Sequence, residues 1–149
     1  MAAFANLSLN DGQTTPVAHT FTVNSFSVDK QGRLYFDWFD TSVNGGIPLG
    51  ANKVRMWITP FKSAGRKAGD SSLVIEGLID CPVLETLGNN SVSGINPQPQ
   101  LAYGTPLWFK TIRNGRSVAQ PSKDVVAFAR DFLNKTVFTD ALFSMSNPT

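Results

Sequence analysis

SKDVVAFARDFLNKTVFTDALFSM, residues Ser122 to Met145, carries the strongest periodic signal in the chain. Val125, Phe128, Ala129, Phe132 and Leu133 recur at helical spacing, with Lys123, Asp131 and Asn134 on the other side. Pro121-Ser122-Lys123-Asp124 reads as a helix start. There the Ser122 hydroxyl caps the first turn, and Asp124 sets a negative charge at the positive end of the helix dipole. Asn134-Lys135-Thr136 interrupts the run, and Val137 to Met145 resumes it with Phe138, Leu142 and Phe143. The spacing therefore predicts two consecutive helices. Burying one such Phe or Leu is worth roughly 1.5–3 kcal/mol, so helices this apolar must lie on a large apolar surface, most naturally a sheet. Whether that sheet belongs to the same chain decides the function.

Everything upstream reads as strand and turn. Ala5 to Leu9 is a short strand, Asn10-Asp11-Gly12 a hairpin turn, and Val17 to Val23 the alternating return strand, with Val17, His19, Phe21 and Val23 on one parity. After the turn Asp29-Lys30-Gln31-Gly32, the stretch Arg33 to Asp40 sets Leu34, Phe36 and Trp38 on one face and Arg33, Tyr35 and Asp37 on the other. Asn44 to Gly50 is a loop. Lys53 to Phe61 alternates again, Val54, Met56 and Ile58 against Lys53, Arg55, Trp57 and Thr59. Lys62 to Asp70 reads as a basic hairpin loop, and Ser71 to Glu85 as the longest strand, with Pro82 forcing a kink or an edge position. Thr86 to Leu101, rich in Gly, Pro and Asn, is a loop long enough to want a functional reason. Tyr103 to Arg113 is the last strand.

Strands first and helices last make an α+β plan with an antiparallel sheet. Helices on one face leave the other open, and on that face period-two alternation gathers Lys53, Arg55, Trp57, Thr59, Ser72 and Glu76. Bases, hydroxyls and an aromatic on a flat strand surface suit nucleic acid. An ordinary solvated sheet face is the alternative, and on these residues alone it stays open.

Composition bounds the rest. One domain spanning 1–149 is the natural reading of the length. Charged residues make up 16% and the net charge is only +2, too weak to announce a polyanion partner by itself. Bases do cluster without acids in Lys53-Arg55-Lys62-Arg66-Lys67 and in Lys110-Arg113-Arg116-Lys123. No apolar run approaches the length of a membrane span, and the N-terminus lacks a signal peptide's pattern, so a reducing cytosol is expected.

Catalysis finds little footing. Cys81 and His19 are the only residues of their kinds. His19 falls inside a strand pattern, where it points into packing or solvent, and Cys81 beside Pro82 reads as a small buried residue. Metal-ligand spacing and a phosphate loop are absent, so no catalytic residue, metal or cofactor is expected.

The order of parts resembles the coat proteins of single-stranded RNA bacteriophages. The resemblance rests on the hairpin text Leu7-Ser8-Leu9-Asn10-Asp11-Gly12 with Thr15-Pro16-Val17-Ala18-His19-Thr20-Phe21, and on the kinked Ile79-Asp80-Cys81-Pro82-Val83-Leu84. The terminal Phe128-Ala129-Arg130-Asp131-Phe132-Leu133 helix completes it. It implies a homodimer with one continuous sheet, onto which each subunit's two C-terminal helices cross from the partner. It also implies an icosahedral shell around genomic RNA, assembled in the bacterial host cytoplasm, with helices outside and the open sheet face inside. An RNA operator hairpin, bound so as to repress translation, would meet that inner face at Lys53, Arg55, Trp57, Thr59, Ser72 and Glu76. Trp57 is bulkier than the small polar residue such a position implies. Thr86 to Leu101 corresponds to the loop gathered around the symmetry axes. Val125, Phe128, Phe132 and Leu133 form the expected dimer interface, and the partners are the chain itself and single-stranded RNA, with no membrane or small-molecule substrate. Two competitors stay open: a small dimeric nucleic-acid-binding module that does not assemble, and a structural phage component with no RNA role.

Overall fold

Alternating apolar and polar residues fold into strands that follow chain order in space. The computed structural model describes residues 4–59, 72–85, 98–115 and 118–143. Six strands, β1 (Leu7–Asn10), β2 (Ala18–Val28), β3 (Leu34–Asp40), β4 (Asn52–Thr59), β5 (Ser72–Glu85) and β6 (Gln100–Asn114), form one sheet in the order β1-β2-β3-β4-β5-β6. The registered pairs, from β1·β2 through β4·β5, are antiparallel. Two helices follow, α1 (Ala119–Leu133) and α2 (Thr136–Phe143). The α+β plan with helices last is as the sequence predicts. The chain divides into two units, one holding the sheet as far as Ile112 of β6 and the other holding both helices from Arg113 onward together with Ser72.

Side-chain hydrogen bonds fix the turns of the sheet. In the first hairpin the loop runs from Asp11 to Val17, longer than the tight turn that Asn10-Asp11-Gly12 suggests. Asp11 closes it: Oδ1 accepts the Val17 and Gln13 backbone N–H groups at 2.9 and 3.2 Å. Asp29 does the same for the next turn, taking the Gln31 and Arg33 N–H groups at 2.8 and 2.9 Å, while Gly32 supplies the positive φ of 75°. β2 runs five residues past the Val23 end that the alternation predicts, because a register shift between Val23 and Ser25 absorbs Asn24. That bulge reverses the parity, so Val23 and Phe26 share the face of Trp38 and Phe36.

One face is apolar. Leu34, Phe36 and Trp38 stand opposite Ile58, Met56 and Val54, and these last two oppose Gly77 and Ile79. Phe4 lies on this face with its ring 5.0 Å from Trp38 and 5.2 Å from Phe36, and the Trp38 indole N–H donates to the Ala5 carbonyl at 2.9 Å. A Cβ on Gly77 would run into the Phe109 ring. Gly77→Ala should therefore push that ring off the sheet, at about 1–3 kcal/mol, seen as a lower urea midpoint with unchanged m.

Asn44 donates to the carbonyls of Gly50 at 2.7 Å and Pro82 at 3.3 Å, tying the β3–β4 loop to β5. Pro82 lies past Asp80, the last β5 residue registered against β4, which is how a strand carries a residue without an N–H. β6 begins at Gln100, three residues before the predicted start.

α1 also starts earlier than predicted. Its N-cap is the extended Val118, without a side-chain cap bond, and neither Ser122 nor Asp124 takes the role expected of it. Pro121 explains the error: in the first turn its missing N–H is one the helix does not use, so the helix runs through it. Asp124 instead accepts the Gln120 amide at 2.7 Å. Asn134 ends α1 as predicted, and Phe132 meets Phe138 of α2 at 5.7 Å between ring centroids.

Candidate nucleic-acid interface

Residues directly opposite in an antiparallel sheet share a face. Tyr35, Asp37 and Phe39 of β3 oppose Trp57, Arg55 and Lys53 of β4, which in turn oppose Glu76, Leu78 and Asp80 of β5. Thr59 opposes Val74, and Ser72 has the same parity at the start of β5. Lys53, Arg55, Trp57, Thr59 and Glu76 therefore stand on one face, as the alternation predicts, while Ser72 lies outside the registered pairs. The sequence reading missed Arg33, Tyr35, Trp108 and Lys110, which join them there. Parity alone carried that signal for Arg33 and Tyr35; for β6 it needed the strand order.

The charges of this face are largely paired. Glu76 receives Lys110 Nζ at 2.7 Å on one oxygen and Arg33 Nη1 at 3.3 Å on the other. The Lys110 hydrogen bond, aided by the charges of Lys110 and Arg33, holds the Glu76 carboxyl below its ordinary value against the cost of desolvation. Arg33 is itself fixed by Asp29 at 2.6 Å. Arg55 Nε donates to Asp37 Oδ1 at 3.2 Å, and the second Asp37 oxygen accepts the Asn24 amide at 3.0 Å. Lys53 has no carboxylate within ion-pair distance among the described residues; its Nζ lies 5.8 Å from the centroid of the Phe39 ring.

Aromatic rings run across the same face. Trp57 has Tyr35 at 5.4 Å on one side and Trp108 at 6.0 Å on the other, the two indoles within 14° of parallel. Trp108 is 64% exposed. Flat rings beside neutralised ion pairs suit stacking with bases better than a broad grip on phosphate.

Asp37 is buried, so Arg55 has a structural duty as well. Arg55→Ala should destabilise the fold by about 1–3 kcal/mol by stranding that carboxylate. Urea unfolding measures the loss, and adding Asp37→Asn in the same chain should recover most of it.

The helical residues named for an interface are open in the single chain: Val125, Phe128 and Phe132 are exposed and Leu133 half-buried. Cys81 is exposed, which corrects the expectation of a buried residue; it follows the last paired position of β4 and β5, where packing from that neighbour ends. His19 takes neither of its expected places, since it bonds two carboxylates described below. The basic loop around Lys62, Arg66 and Lys67, Arg116 and residues 86–97 lie outside the described residues.

Comparison with known proteins supplies the decisive observation. The levivirus coat protein family model matches residues 2–148. The chain belongs to the levivirus coat protein family. Its fold is similar to that of a virus-like particle of bacteriophage NT-214, at 27% identity and a TM-score of 0.78, covering 99% of this chain and 100% of that one. The virus-like particle of bacteriophage ESE058 (21% identity, TM-score 0.80, 97% and 98% covered) and the bacteriophage GA protein capsid (13%, 0.64, 98% and 98%) share the fold. A search of curated protein sequences gives no match. As a levivirus coat protein the chain has a capsid role, in a structural family and not a family of enzymes. The six-stranded antiparallel sheet followed by two helices is the levivirus coat fold.

Proposed function

We propose that this chain acts as one coat-protein domain over residues 1–149, forming a homodimer that closes with others into an icosahedral shell around single-stranded RNA. Assembly takes place in the bacterial host cytoplasm, and the product is the virion. The observation that carries the reading is β6. It is the last strand of the sheet, 15 residues long, and it exposes Leu101, Tyr103, Leu107, Trp108, Phe109 and Ile112. A long apolar strand at the end of a sheet is a template for another strand. Pairing β6 with the β6 of a second copy joins two sheets into one. The stripe Val125, Phe128, Phe132 and Leu133 of each copy then has an apolar sheet to cover, that of its partner.

Core size supports the same reading. Among the described residues, the buried apolar side chains of the single chain are Phe21, Trp38, Ala51, Leu78 and Pro82. A chain of this length normally buries about 70% of its unfolded surface, and a partner supplies what is missing.

RNA is assigned to the face of Lys53, Arg55, Trp57, Thr59, Ser72 and Glu76, with Tyr35 and Trp108 extending the stacking surface. Lys53 supplies phosphate contact and Trp57 stacks a base. Glu76 would repel phosphate by itself, and its place on this face is to orient Lys110 and Arg33. An operator hairpin bound on this face represses translation. Particles purified from cells and treated with nuclease should yield protected RNA on extraction. Shells that carry no RNA and bind no hairpin would leave the capsid role and remove the RNA role.

A further inference from the structure

The chain's single histidine stands where the N-terminal hairpin meets the end of β3. His19 Nδ1 lies 2.7 Å from Asp40 Oδ2, and Nε2 lies 3.4 Å from Asp11 Oδ2. Asp40 is 1% exposed, and its other oxygen is fixed by the Ser42 N–H at 2.9 Å and the Ser42 hydroxyl at 2.5 Å. Asp11 is the residue that orders the hairpin loop, through Gln13 and Val17. From β1 the residue opposite His19 is the uncharged Leu9. Among the described residues, Asp11 and Asp40 are thus the charged groups that face the imidazole, one from the loop and one from β3. The capsid role derived above uses none of these three side chains.

A neutral imidazole has one N–H and one lone pair. With Nδ1–H donated to Asp40, the Nε2 lone pair faces the Asp11 carboxylate and repels it. With a proton on each nitrogen, both donate, and the ring bridges two negative charges. We infer that His19 is a proton-operated latch, clamping the hairpin loop to the end of β3 when protonated and releasing it when the proton leaves.

The hydrogen bond to Asp40 raises the imidazole above its ordinary value of 6.5, partial desolvation opposes this, and Asp11 adds to the rise. Asp11 is lowered chiefly by the Val17 N–H. Burial pushes Asp40 up, but Ser42 and His19 outweigh it and leave the carboxyl low. Because the folded imidazole is raised, its contribution is complete below the unfolded value of about 6.5 and is lost as pH rises through the folded one. Because the carboxyls are lowered, theirs is present above about 3.9 and is lost as pH falls through the folded values. The latch therefore holds from mildly acid pH to somewhat above the ordinary histidine range, and it opens on the alkaline side.

Hydrogen exchange read by mass spectrometry on the full chain, in the assembly in which it purifies, tests this from about pH 5.5 to about pH 9. After correction for intrinsic rates, protection of the loop peptide around Val17 should fall severalfold relative to the β4 peptide as pH rises. His19→Gln should abolish that step. A loop-to-β4 ratio that stays flat in the wild type, or falls equally in His19→Gln, would overturn the latch. If His19→Gln fails to fold, Asp11→Asn serves instead: its amide oxygen still accepts from Gln13 and Val17, but the charge is gone. The step should then shrink, and an unchanged step would be equally fatal.

Discussion

Phe132→Ala is expected to destabilise the protein by about 3–5 kcal/mol per chain. In the single chain such a loss has no cause, because Phe132 is 56% exposed and touches Phe138. A side chain left that open changes stability by within about 0.5 kcal/mol when truncated. The larger figure arises only if a second copy covers the stripe of Val125, Phe128, Phe132 and Leu133. The two magnitudes are far enough apart to decide the matter. Denaturant unfolding at several protein concentrations measures it, since the midpoint of an obligate dimer rises with concentration. A midpoint independent of concentration, together with a loss near zero, would place these residues in solvent.

The second large effect belongs to the sheet face. Trp57→Ala should weaken binding of an RNA hairpin by roughly 1–3 kcal/mol through lost stacking, with little change in the slope of log affinity against log salt. Lys53→Ala should do the reverse, flattening that slope by about one with a smaller loss of affinity. The contrast follows from the geometry. Trp57 sits between Tyr35 and Trp108 as a ready stacking surface, while Lys53 is the cation of the face free of a carboxylate partner among the described residues. Arg55 is a poor probe here, because its loss strands Asp37 and confuses folding with binding. Filter binding at several salt concentrations separates the two substitutions. Unchanged affinity in Trp57→Ala would remove the stacking role, and an unchanged slope in Lys53→Ala would remove the phosphate role.

The faces of β3, β4 and β5 were readable from the sequence because a strand has a strict period of two, so Lys53 to Thr59 sorts itself without knowledge of neighbours. Alternation ends β2 too early because a bulge at Asn24 breaks that period, and nothing local announces it. The start of α1 was misplaced because Pro121 is a breaker in most positions and harmless in a first turn. For Trp108 and Lys110 the sequence indicates a strand but no site. Only the order β4-β5-β6 brings them over Glu76 and Trp57. The pairing of Arg55 with Asp37, and of His19 with Asp40, was likewise out of reach, since parity gives a face and not a partner. The helices themselves were legible because Val125, Phe128, Phe132 and Leu133 recur at helical spacing, whereas no spacing says what covers a stripe that the single chain leaves exposed.

Assembly is the claim on which the rest depends, and imaging the purified chain, expressed alone, by negative-stain microscopy tests it most directly. The expected result is closed, RNA-filled shells of uniform diameter formed without any other phage component. Discrete dimers or monomers at micromolar concentration, with no particles under any assembly condition, would contradict it.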